Sequence, residues 1–115
     1  MARYTSFYRV ACDPDRLGLL LVEILQSCNF EILYERDDYI LAREISSEVP
    51  FSKLVKVEVT LTKKYKYDEE VRMNVVVNTD ALPLHADNHC RQMFDFVSEV
   101  IQDTRQWEIL EQAIG

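Results

Sequence analysis

A chain of 115 residues with 13 Lys and Arg against 20 Asp and Glu carries a formal charge of -7, which disfavours nucleic acid and anionic membranes as partners. Its length suits one domain that buries its core without disulfides or metal, so residues 1–115 are expected to fold as a single unit with no cofactor. Cys12, Cys28 and Cys90 are far apart and form no C-x-x-C pair, which fits buried thiols in a reducing, cytoplasmic setting.

The N-terminus turns polar at Arg3, so no signal peptide is expected. Tyr4 to Ala11, rich in aromatic and β-branched residues, predicts a first strand. Its facing is ambiguous: Tyr8 and Val10 share one face, while Phe7 and Ala11 share the other with Arg9. Asp13-Pro14-Asp15 starts a helix, with Asp13 as cap and Pro14 in the first turn. Leu17, Leu20, Leu21, Ile24, Leu25 and Cys28 form its core-facing stripe, and Asn29 suits its end. The apolar run Leu17 to Leu25 is interrupted by Gly18 and Glu23 and is too short to span a membrane.

Phe30 to Glu35 and Tyr39 to Ile45 predict a hairpin turning near Asp37 and Asp38. A loop over 46–53 separates it from two alternating strands. In the first, Val55, Val57, Val59 and Leu61 face the core, and Lys56, Glu58, Thr60 and Thr62 face outward. In the second, Val71, Met73, Val75 and Val77 face inward, and Arg72, Asn74 and Asn78 outward. Such one-sided alternation implies an antiparallel sheet with one covered and one wet face. Asp87 is expected to cap a last helix whose stripe is Cys90, Met93, Phe94, Val97, Val100, Ile101 and Thr104. Trp107, Leu110 and Ile114 continue its phase.

The expected fold is therefore two-layer α+β, a five-stranded, mainly antiparallel sheet with two helices on one face, in the order β-α-β-β-β-β-α. That element order resembles the TATA-binding-protein-like, or helix-grip, topology. The resemblance concerns architecture only, and no functional residue carries over from it.

The densest chemical cluster is His85-Ala86-Asp87-Asn88-His89-Cys90. His85, Asp87 and His89 are weak candidates for a metal site, and Cys90 with a histidine of this segment for a thiol nucleophile. The competing expectation is stronger: a capping acid and a thiol buried on the apolar stripe. Lys63-Lys64-Tyr65-Lys66-Tyr67 interleaves basic and aromatic residues, but Asp68-Glu69-Glu70 offsets the charge, so a solvated loop is expected. Glu31, Glu35, Glu44 and Glu58 could converge on the wet sheet face as acid–base groups. Arg9, Arg43, Lys56 and Arg72 would then form a cross-strand charge lattice with them. No G-x-S-x-G, P-loop, G-x-G-x-x-G or H-E-x-x-H motif occurs.

A helix from Asp87 to Ala113 would reach ~40 Å at ~1.5 Å per residue, more than five strands can cover. Residues 105–115 must then either fold back after a bend near Asp103-Thr104 or overhang as an interaction tail. Leu19 and Val22 lie outside the stripe of the first helix. With Trp107, Leu110 and Ile114, they form a candidate partner or self-association surface. The outward row Lys56, Glu58, Thr60, Arg72, Asn74 and Asn78 is a second. The leading expectation is a non-enzymatic protein-interaction module, such as an adaptor, assembly factor or regulatory subunit. Next comes a binder of a small apolar ligand held beneath the last helix by Met73, Met93, Phe94 and Phe96, and third an enzyme using the His85–Cys90 segment.

Overall fold

The computed structural model describes residues 2–45, 54–63, 70–79 and 88–114. Its elements are β1 (Ala2–Ala11), α1 (Pro14–Ser27), β2 (Phe30–Arg36), β3 (Tyr39–Glu44), β4 (Lys56–Lys63), β5 (Glu70–Thr79), α2 (His89–Asp103) and β6 (Glu108–Ile114). They form the expected α+β fold, with one more strand than anticipated. All neighbouring strands pair antiparallel, in the order β2-β3-β4-β5-β1-β6.

The extra strand changes the reading of the C-terminus. The last helix stops at Asp103, where Thr104 adopts an extended backbone at ψ 143. The chain then reverses and lays β6 along β1, so the helical phase does not continue through Trp107, Leu110 and Ile114. A β-bulge explains why the pattern misleads. Ile109 pairs with Val10 and Glu111 with Arg9, leaving Leu110 as an extra residue. Beyond the bulge, Gln112 and Ile114 return to the face of Ile109, so the two-residue period of a strand is broken. Element order thus becomes β-α-β-β-β-β-α-β, one strand longer than the string that suggested the helix-grip likeness.

Local chemistry sets the helix ends. The Asp13 carboxylate accepts the Asp15 N–H at 3.0 Å, capping α1. Asn29 closes that helix at φ 70, a left-handed conformation that asparagine tolerates better than most residues. Helix α2 is capped by Asn88 rather than Asp87, its side-chain oxygen accepting the Arg91 N–H at 2.9 Å. The Asn88 amide also donates to the Tyr4 hydroxyl at 2.8 Å, tying the cap to β1. Asp87 lies outside the described residues, as do the loop predicted over 46–53 and most of the charged loop between β4 and β5.

Both helices cover one sheet face, α1 over β2 and β3, and α2 over β1 and β5. Between the layers lies one continuous core. Leu17, Leu21 and Leu25 of α1 and Cys90, Phe94, Val97 and Ile101 of α2 meet Tyr8, Val10, Ile40, Val57, Val59, Val75 and Val77 of the sheet. The ambiguity in β1 is resolved by burial: Ser6, Tyr8 and Val10 face the helices, and Phe7 and Arg9 face away. Tyr4 stacks on Phe94 with ring centroids 5.6 Å apart, and the Arg91 guanidinium caps both rings.

Candidate functional site

Neither helix packs on the second face of the sheet, and register fixes the layout of that bare face. Across one end run Arg3, Asn78, Lys56, Arg43 and Glu31 on neighbouring strands. Next come Thr5, Val76, Glu58, Leu41 and Tyr34, then Phe7, Asn74, Thr60, Tyr39 and Arg36. Arg9, Arg72 and Thr62 close the other end. The predicted outward residues Lys56, Glu58, Thr60, Arg72, Asn74 and Asn78 thus share one face and are central to it. Phe7, Tyr39, Leu41 and Val76 escaped the sequence reading. They are half-buried and form an apolar band across the middle of this face, interrupted at β4 by Glu58 and Thr60. Tyr34 extends the band, its ring 6.0 Å from that of Tyr39, with Arg36 over its face at 5.2 Å.

The charges on this face are only partly compensated. Arg9 pairs with Glu70 at 3.1 Å and Glu111 at 3.2 Å, which holds its guanidinium pKa above the ordinary value. Arg43 pairs with Glu31 at 2.6 Å. Arg3, Lys56 and Arg72 have no ion pair among the described residues. Register moreover sets Arg72 directly opposite Arg9, and Lys56 directly opposite Arg43. Like charges in such positions oppose sheet formation. The helix layer has the opposite balance, with Asp13, Asp15, Glu23, Asp95, Glu99 and Asp103 against Arg16 and Arg91.

The four strand acids do not converge. Glu31 and Glu58 lie on the bare face, but the inward phase of Ile40, Ala42 and Glu44 turns Glu44 toward the helices. In β2, Leu33 is a bulge residue without a register partner, and it moves Glu35 to the face opposite Glu31. Glu44 is buried, and its carboxylate is bonded to His89 Nε2 at 2.9 Å and to the Val55 N–H at 3.2 Å. His89 is therefore engaged by a core acid rather than poised as a ligand. His85 and Asp87 lie outside the described residues, among which no group of three or more metal-ligating side chains occurs. Next to His89, Cys90 is 1% exposed, and its thiol donates to the Val77 carbonyl at 3.7 Å. Burial, with the Glu44 charge, pushes its pKa up to about 11. A thiol so held stays protonated near neutrality, which argues against a Cys90 nucleophile.

The apolar candidates separate. Trp107 is a core residue at 7% exposure, and Val22 packs partly buried against the core. Leu19, Leu110 and Ile114 are exposed, on α1 and β6 respectively. Leu110 and Leu33 are both bulge residues, one on each edge strand of the sheet. Bulges twist an edge away from flat pairing, so both edges are blunted against sheet-to-sheet association. Beneath α2, Met73 and Phe94 are packed in the core, whereas Phe96 is 45% exposed on the α1 side. Phe96 lines an open cleft of ≈ 400 Å³ with Ile24, Val100 and Thr104, rimmed by Glu99 and Asp103. Of the four anticipated ligand-lining residues, only Phe96 lines this cleft.

No helix among the described residues is long and apolar enough to cross a membrane. No known family model matches the chain, and no curated protein is significantly similar to it.

Proposed function

We propose that this chain is a non-enzymatic, cytoplasmic protein-interaction module, and that its contact surface is the bare sheet face. The observation that carries this reading is the apolar band of Phe7, Tyr39, Leu41 and Val76 on a face that neither helix covers. Apolar bodies surrounded by polar and charged neighbours are the usual composition of a protein-binding patch. No disulfide joins Cys12, Cys28 or Cys90, which supports a reducing compartment.

Site-specific photo-cross-linking in cells tests this reading. A photoreactive residue at Thr60 or Asn74, both exposed on the bare face, is expected to trap a discrete protein. The same residue at Gln26 or Gln102, exposed on the helices, is expected not to. Adducts from the helix positions alone, or equally from all four, would remove the sheet face from consideration.

A second reading, a small apolar ligand, is supported by the cleft between Ile24 and Phe96. It would lie between the helices rather than beneath α2. Native mass spectrometry of the purified protein checks it: a bound small molecule lost on Phe96→Asp is the expected signature, and bare protein throughout excludes it.

A further inference from the structure

From the layout of the bare sheet face, we infer that its partner is a protein segment with an apolar centre flanked by carboxylates. This rests on the proposal that the face is a contact surface and adds the chemistry of what it contacts. Three observations carry it. First, Arg3, Lys56 and Arg72 lack ion pairs among the described residues, although acids outnumber bases 20 to 13 over the whole chain. Second, Arg72 opposes Arg9 and Lys56 opposes Arg43 in register; Glu70 and Glu111 are taken up by Arg9, and Glu31 by Arg43, which leaves Arg72 and Lys56 as the members of each pair open to an added anion. Third, these cations mark the two ends of the face, with Phe7, Tyr39, Leu41 and Val76 between them. From Lys56 to the level of Arg72 beside Thr62 the strand rises ~20 Å at ~3.3 Å per residue.

An extended segment of about six residues spans that distance. Its terminal carboxylates meet Lys56 with Arg3 at one end and Arg72 at the other, while its apolar side chains lie on the central band. The acidic helix layer repels such a segment, so the charge distribution also orients its approach. A single nucleic-acid strand fits less well. Its phosphates are evenly spaced, and Glu58 sits in the middle of the path between Leu41 and Val76. A peptide can place an uncharged side chain there.

Selection of a displayed random-peptide library on the purified chain tests the inference. Enriched peptides are expected to carry acids on both sides of a short apolar core and to bind more weakly as salt rises. Their affinity should fall about tenfold or more for the K56E/R72E double variant. Both side chains are exposed, so the fold should survive; circular dichroism verifies this, and Arg3→Glu serves as an independent substitution at the Lys56 end. Enrichment without acids, or equal binding to the reversed-charge variants, overturns the inference. So does tighter binding of an oligothymidine 15-mer than of any selected peptide. If cross-links from Thr60 and Asn74 instead lead to a partner segment devoid of acids, the contact surface stands and only the assigned chemistry fails.

Discussion

His89 Nε2 lies 2.9 Å from both carboxylate oxygens of Glu44, joining the first turn of α2 to the last residue of β3. Glu44 also grips Val55 twice. Its carboxylate accepts the Val55 N–H at 3.2 Å, and its own N–H donates to the Val55 carbonyl at 2.8 Å. One buried acid thus holds together the end of β3, the chain entering β4 and the start of α2. Removing the imidazole leaves the buried carboxylate with a single neutral donor. His89→Ala is therefore expected to cost about 1–3 kcal/mol in urea unfolding at pH 7. Adding Glu44→Gln to that variant should restore part of the loss, because no unpaired buried charge then remains. Strictly additive effects in this cycle would show that the pair contributes no coupling.

The segment after α2 belongs to the sheet, so cutting it away should unfold the chain rather than free a tail. Trp107 is buried at the turn into β6, and Ile109 packs against the core. Trp107→Ala is expected to lose about 3–5 kcal/mol, the range for a large buried aromatic. Deleting residues 105–115 should remove the cooperative thermal transition, because β1 then loses one of its two hydrogen-bonded neighbours. A truncated chain melting at the full-length temperature would show that β6 adds nothing to stability.

Legibility of these features in the sequence followed periodicity. The caps and stripes marked α1 and the start of α2 to within a residue or two, because Asp13, Asn29 and the Leu17-to-Cys28 stripe act locally. The strands β4 and β5 alternate except at Val76, so their other outward residues could be named in advance. Bulges at Leu33 and Leu110 hid the rest: each adds one residue, flips everything beyond it and makes a strand resemble another pattern. The facing of β1 was hidden for a different reason, since its inward set includes Ser6 and its outward set includes Phe7. The Glu44–His89 contact spans 45 positions and has no local signal. The phase of Ile40, Ala42 and Glu44 was nonetheless a clue that one acid points into the core.

Alkaline pH should weaken the fold through its buried thiols. Burial raises the pKa of Cys90 from 9.0 to about 11 and also lifts that of Cys28. Between pH 9 and 11 the unfolded chain releases the Cys90 proton while the native chain keeps it. The unfolded state then binds fewer protons, so stability falls as pH rises through that window and is fully present below it. For Cys90 the loss is on the order of 2 kcal/mol. Urea midpoints measured from pH 8 to 11 in wild type and Cys90→Ala check this, and the variant is expected to show the shallower decline. Thiol labelling at pH 8 should reach Cys12, which is half-buried, before Cys90. Equal labelling rates would contradict the burial that underlies the shift.

Gly18 offers a gain rather than a loss. It sits inside α1, one position from Leu17 of the core stripe and on the flank that leads toward Val22. A methyl group added there meets no atom within 4 Å, and no described glycine has a positive φ. Nothing in the folded chain therefore requires glycine at this position. Gly18→Ala restricts the unfolded chain and suits the helix, so it should stabilise by about 0.5–1 kcal/mol. Thermal melts of the two proteins under identical conditions decide the matter. Because the open space belongs to the isolated chain, a partner seated on this flank would reverse the sign in the complex only. The substitution should raise the melting temperature of the free protein and leave peptide binding at Lys56 and Arg72 unchanged. A loss of that binding would place part of the contact on α1 instead of on the sheet.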